Sequence, residues 1–202
     1  MFNKILLYLI LFLFIGIIFS WRIQHKGVNF LNKQLIFFFM AVIFMAAGMG
    51  VHDSIFNNFL SETYKLTADS RGWLEFPREL PGFLVFLMTG VLAALPITHL
   101  GIIGAFAFTL GMAGLAYLGN TYPMMVGMMV LASSGMHLLQ PVSGSLAIGL
   151  SEGKNRGKRM GQLGFVDTAG VIIGTGLIWL FFDRTAPKYW IGFVLAGILA
   201  FI

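Results

Sequence analysis

Arg71-Gly72-Trp73-Leu74-Glu75-Phe76-Pro77-Arg78-Glu79-Leu80-Pro81 opens an apolar run that continues to Leu95. Four ionisable side chains thus stand at the mouth of a segment that otherwise belongs in lipid. Glu75 follows Arg71 by four residues, and Arg78 and Glu79 follow Glu75 by three and four, so on a helix all four share one side. A charge at bilayer depth costs roughly 2.5–3.5 kcal/mol on insertion scales, so such groups face a bundle interior or a water-filled cavity. Pro77 and Pro81 lie among the charges and free backbone carbonyls, which again calls for protein or water as the neighbour rather than lipid. The pattern is that of a membrane helix beside a polar pathway.

Composition agrees. Hydrophobic residues make up 58% of the 202 and charged residues 10%, against about 45–50% and about 25% in soluble domains. Mean hydropathy is +0.87. These values are those of an integral membrane protein. The 25 glycines suit close packing between membrane helices. With no cysteine, disulfides, thiolate metal sites and cysteine nucleophiles are excluded. The net charge of +5 would point to nucleic acid in a soluble protein. Here the cations fall mostly in two short connections, so membrane topology explains them and no nucleic-acid partner is expected.

Seven apolar segments, at about 5–21, 35–60, 71–95, 100–119, 122–150, 161–182 and 189–202, are long enough or nearly so to span about 30 Å of hydrocarbon. No period-two alternation appears, which disfavours a β-barrel. The connection 22–34 carries Arg22, Lys26 and Lys33 without an acid, and 151–160 carries Lys154, Arg156, Lys158 and Arg159 against Glu152. Both are expected on the cytoplasmic side, with 61–70, 120–122 and 183–188 outside. Four crossings separate the basic connections, an even number, so both fit on one side. The segment 5–21, preceded by Lys4, also has the form of a signal sequence. It lacks a small-x-small cleavage site, ending Ile18-Phe19-Ser20-Trp21. A retained helix is the expectation, since a cleaved peptide would leave 22–34 outside.

Setting that first segment aside leaves six helices, with a short external loop after the first and a basic internal loop between the fourth and fifth. Phe56-Asn57-Asn58-Phe59-Leu60, followed by Tyr64-Lys65-Leu66-Thr67 and Arg71-Gly72-Trp73-Leu74, is similar to the first loop and second-helix start of major facilitator superfamily transporters. Asn155-Arg156-Gly157-Lys158-Arg159-Met160-Gly161, continuing through Gly164, Gly170, Gly174 and Gly176, resembles the start of that family's fifth helix. The resemblance covers about residues 35–202 and implies the amino-terminal six-helix half of such a transporter, preceded by a leading helix and basic connection over 1–34. One departure concerns the family's Gly-x-x-x-Asp-Arg-x-Gly-Arg signature between its second and third helices. Here that loop is Leu95-Pro96-Ile97-Thr98-His99-Leu100-Gly101, without Asp or Arg, so the family's cytoplasmic charge latch is absent or made otherwise. Length is the other departure, since family members usually carry two such halves.

Each candidate residue has a functional and a structural reading, and both stay open. Asp53 and Asn57 form an i, i+4 pair beside His52 and Asn58. The resemblance implies that they line a central cavity; otherwise the helix ends near Gly50 and they are solvated. Arg71, Glu75, Arg78 and Glu79 sum to zero charge. They read either as a salt-bridged knot or as a carboxylate that carries a proton beside an Arg that grips an anionic group. His137 and Gln140 precede Pro141, near Ser133, Ser134 and Ser143; His137 is a packing residue or a proton carrier. Asp167 is an intramembrane carboxylate, functional by default or paired with Arg159 or Lys158. No two histidines stand at metal-ligand spacing, so no metal is expected. Gly101-x-x-Gly104 and Gly111-x-x-Gly114 fit helix contact. No phosphate loop, paired-His helix or serine-nucleophile motif is present, and neither enzyme activity nor a cofactor is expected.

The sequence therefore predicts an all-α, multi-pass cell-membrane protein of bacterial inner-membrane type. Its expected function is alternating-access transport of a small polar solute, coupled to a proton or sodium ion. One six-helix half cannot wall a transport cavity, so a longer twelve-helix protein or a homodimer is expected, with a chain incomplete at its C-terminus as the favoured version. A non-transporting scaffold or complex subunit is the main rival and a pore-forming oligomer the third. For a transporter, Asp53, Asn57, Glu75, Arg78, His137 and Gln140 should converge on one face. In a scaffold at least half would point elsewhere or be satisfied in local pairs.

Overall fold

A computed structural model describes residues 30–92, 94–151 and 155–202, and every regular element among them is a helix. They are α1 (Phe30–Thr63), α2 (Ala68–Phe83), α3 (Val85–Val91), α4 (Ile97–Tyr117), α5 (Tyr122–Gly149), α6 (Arg156–Phe181) and α7 (Tyr189–Phe201). The chain divides into two compact units, residues 1–40 and 41–202. Of the first, only the opening of α1 is described; the second holds the remainder of α1 and all of α2 to α7. The expected segment 5–21, with Lys4, Arg22, Lys26, Glu152 and Lys154, lies outside the described residues.

Four helices are long and apolar enough to cross a membrane: α1 from Lys33, α4, α5 and α6. The apolar α7 has 13 residues. The expected helix over 71–95 is broken. After α2 the chain turns at Leu84 and resumes as α3, giving pieces of 16 and 7 residues, each short of the roughly 20 a crossing needs. The cause is local. Pro77 and Pro81 cannot donate to the carbonyls four residues back, and Gly82 weakens the helix immediately before the turn. Two boundaries also move. Residues 30–34 are helical rather than part of a basic connection, and Arg156, Lys158 and Arg159 belong to the first turns of α6 rather than to a loop. Cations there oppose the helix dipole, so their reason is not helix stability.

Packing rests on missing side chains. α4 and α5, joined by four residues, meet so closely that a Cβ on Gly135 would lie 2.4 Å from the Gly104 carbonyl oxygen. The glycines at 104, 111 and 114 are buried against α5, as the helix-contact reading of their spacing requires. A second seam joins α1 to α6, where a Cβ on Gly174 would lie 2.0 Å from the Ala47 carbonyl oxygen. The Ser54 hydroxyl of α1 donates to the Gly50 carbonyl at 2.6 Å and lies within hydrogen-bond distance, 3.2 Å, of the Thr175 hydroxyl in the same seam. Between α1, α4 and α7 lies a fully buried set: Val51, Ile55, Phe56, Phe108, Met112 and Phe193. By contrast, only 11% of the apolar stretch of α6 is buried, against 39% in each of the other three long helices. α6 is the peripheral one.

The turn after α1 carries the one left-handed non-glycine residue among those described, Lys65 at φ 55°. In the same turn the Tyr64 hydroxyl donates to the Gly119 carbonyl at the α4–α5 turn, and burial pushes the phenol above its usual range. Between α6 and α7, Asp183 accepts from the Thr185 hydroxyl (2.7 Å) and amide (2.9 Å) and from the Ala186 amide (3.3 Å). These bonds, the Thr185 hydroxyl first, hold its carboxyl below the ordinary value.

Candidate functional site

α2 starts with Thr67 as its N-cap, the hydroxyl accepting from the Ser70 amide at 3.3 Å, and Asp69 suits the positive end of the helix dipole. That start fixes the face on which the charges emerge. Arg78 donates from Nη2 to Glu75 Oε2 at 2.8 Å and from Nε to Glu79 Oε1 at 3.3 Å. The other Glu79 oxygen lies 3.3 Å from Nε2 of His137 on α5. One turn earlier on α5, the buried Ser133 hydroxyl donates to the Arg78 carbonyl. Gly82 completes the contact, for a Cβ there would lie 2.8 Å from Cε1 of the His137 ring. The proline-bearing turn of α2 is thus clipped to α5 by the Glu79–His137 contact, a hydrogen bond and a glycine lying against an imidazole.

Two carboxylates and one guanidinium sum to −1 with His137 neutral and to zero with it protonated. Arg78 contacts both carboxylates, whose side chains are 45% and 43% exposed. The arrangement leaves little for an anionic solute to grip, because Arg78 Nε and Nη2 are both engaged by carboxylates of its own helix.

Arg71 is not part of this network. Its Nη1 donates to the Asn57 backbone carbonyl at 3.5 Å, and no ion pair among the described residues includes it. The four-member neutral knot is therefore corrected to Glu75, Arg78, Glu79 and His137. Arg78 lies between the two carboxylates and serves both, which leaves Arg71 to reach α1. The side chains of Asn57 and Asn58 are exposed, as is Gln140 one turn beyond His137.

Asp167 is exposed on α6, and it pairs with neither Lys158 nor Arg159. Arg159 instead donates to Gln162 Oε1 at 2.8 Å. Helix geometry gives the reason: eight residues separate Arg159 from Asp167, about 12 Å along the axis, whereas Gln162 is on the next turn.

Asp53 is satisfied locally, its Oδ1 lying 2.9 Å from Nδ1 of the adjacent His52. Of the six residues expected to converge, Glu75, Arg78 and His137 do so, with Glu79 as the link; Asp53, Asn57 and Gln140 do not join them. His52, named in the sequence only as a neighbour of Asp53, is a candidate in its own right. Its signal is a histidine directly before an aspartate, with Phe56 one turn later, inside an otherwise apolar stretch. No three His, Asp or Glu side chains among the described residues are arranged to hold a metal ion.

No protein-family model and no curated protein matches this chain.

Proposed function

We propose that the chain is a membrane-embedded, six-helix half of a secondary transporter of the major facilitator type, and that it moves a small polar solute by alternating access. The observation that carries this reading is the Glu75–Arg78–Glu79–His137 network. It joins two helices, holds one more carboxylate than guanidinium, and includes an imidazole that can take the balancing proton. Coupling to a proton fits these groups better than coupling to sodium, which prefers several oxygen ligands that no guanidinium has neutralised. Counting α2 and α3 together as one broken crossing gives six with α1, α4, α5, α6 and α7. Broken helices beside polar sites are characteristic of transporter cavities. The exposed Asp167 carboxylate on the apolar α6 supports a covering partner, either a second six-helix half or a second copy, because lipid offers it no hydrogen bond. The multi-pass arrangement in a bacterial inner membrane, with the Arg156–Arg159 turn in the cytoplasm, follows from the same reading.

The scaffold reading has its own support: Asp53, Asn57 and Gln140, half of the six residues expected to converge, do not, which is the outcome expected of a scaffold. Asp53 is satisfied by His52, and Arg71 is spent on backbone. The deciding experiment uses the full chain in proteoliposomes with a pH dye inside. A panel of amino acids, sugars, nucleosides and amines is added against an imposed proton gradient. A transporter moves protons with at least one solute, and Glu79→Gln abolishes that movement while the folded protein is retained. A folded wild-type chain that moves no protons with any of them makes the scaffold reading the leading one.

A further inference from the structure

His52 takes no part in the network on α2 and α5, yet it is the most enclosed ionisable group described, with a side chain 4% exposed. Its ring stacks on Phe56 at 4.8 Å and meets Phe108 of α4 at 6.3 Å and Phe193 of α7 at 6.4 Å. One ring nitrogen, Nδ1, lies 2.9 Å from Asp53 Oδ1; the other, Nε2, is buried and has no hydrogen-bond partner among the described residues. Asp53 itself is 59% exposed. A carboxylate open to its surroundings is thus joined by one hydrogen bond to an imidazole sealed among aromatic rings.

We infer that His52 and Asp53 form a proton-binding site in which Asp53 fixes the imidazole tautomer and Nε2 takes up the proton. The geometry sets the order of events. An ionised Asp53 only accepts, so Nδ1 carries the hydrogen and Nε2 is a bare acceptor. A buried acceptor without a partner is costly, whereas a cationic imidazole stacked on Phe56 is favoured by the ring. The added charge is balanced by the Asp53 carboxylate, with the two residues neutral as a unit. On proton release the unit carries −1, held at the exposed carboxylate. Other ionisable groups on the surrounding helices stand further off. On α4, His99 and Tyr117 are each nine residues from Phe108, about 14 Å along the axis. On α7, Tyr189 is one turn before Phe193 and stands beside Glu62 of α1. On α6, Asp167 is one turn before Val171, the residue packed against Gly50. Among the described residues, the ion-pair partner of the imidazole is Asp53. The inference does not depend on the transport reading.

The test is nitrogen NMR on the full chain in detergent micelles, labelled at its four histidines, with His52→Gln identifying the His52 signals. At alkaline pH, Nδ1 should carry the hydrogen and Nε2 should be bare. On acidification Nε2 should gain a proton, and in Asp53→Asn the same change should need about tenfold higher proton activity, the removal of a charge in contact. A bare Nδ1 with a protonated Nε2 at alkaline pH overturns the proposal. So does an Nε2 signal that stays unchanged on acidification, as a tightly held water would give, or one that responds identically in Asp53→Asn. The wild-type tautomer measurement decides alone should a variant fail to fold.

Discussion

Replacing Gly174 by alanine tests the α1–α6 seam. The new Cβ would lie 2.0 Å from the Ala47 carbonyl oxygen, 2.8 Å from its carbon and 3.0 Å from the Val51 nitrogen, whereas ordinary contact begins at 3.4 Å. All three atoms are backbone, so no rotamer change relieves the overlap and the helices must part by about 1.4 Å. Overpacking of this kind costs about 1–3 kcal/mol. The same movement stretches the 3.2 Å Ser54–Thr175 bond beyond hydrogen-bond range, a further loss of about 0.6 kcal/mol between membrane helices. Gly176, two residues on, has nothing within 4 Å of its Cβ position, so Gly176→Ala should stay within about 0.5 kcal/mol of the parent. The helix-propensity gain expected in water largely vanishes for both, because a detergent-unfolded membrane helix remains helical. Equilibrium unfolding by SDS in mixed micelles, followed by tryptophan fluorescence, should place Gly174→Ala about 2–4 kcal/mol below Gly176→Ala. Two variants within 0.5 kcal/mol of each other would refute a close seam between α1 and α6.

Tyr64→Phe should destabilise the fold by about 1–3 kcal/mol in the same assay, because the carbonyl of the buried Gly119 loses its donor. Burial raises the Tyr64 phenol, so its contribution is complete below the unfolded value of about 10 and is lost as pH rises through the folded value; the phenylalanine variant should lack that alkaline loss. In this cysteine-free chain, a cysteine at Asn155 should label only from the cytoplasmic side and one at Thr185 only from outside. The reverse pattern would remove the proposed topology.

The long helices were legible because hydropathy and length leave few alternatives: 100–119, 122–150 and 189–202 fall within three residues of α4, α5 and α7. The break at Leu84 was not. Pro77 and Pro81 were visible, but the apolar run beyond them reads as continuous, and whether a proline kinks a helix or ends it depends on what neighbouring helices supply. Site residues divide along a similar line. Glu75, Arg78 and Glu79 share a turn, and helical spacing brings them together. His137 lies 58 residues from Glu79, a pairing that no local period encodes. Helical spacing also promoted Arg71 to a network it does not join, since i, i+4 proximity permits an ion pair without choosing between two arginines for one carboxylate. Asp167 failed for distance: the two turns that separate it from Arg159 are too many for either side chain to bridge.

The two glycine seams impose an order of assembly during synthesis. α4 and α5 are neighbours in sequence, and their hairpin can close as soon as both have entered the bilayer, with almost no loop entropy to overcome. α1 has no such neighbour. Its seam partner at Gly174 lies 124 residues beyond Gly50, and at roughly 5–20 residues per second a ribosome needs about 6–25 s to supply it. Throughout that interval α1 sits in the membrane with its backbone at Ala47 and Gly50 uncovered and His52 lacking Phe193. The slow-forming contact is the vulnerable one. Quality-control proteases that survey unassembled membrane helices would meet α1 first, and mutations that loosen its seam should lower the amount of protein before they alter what it does.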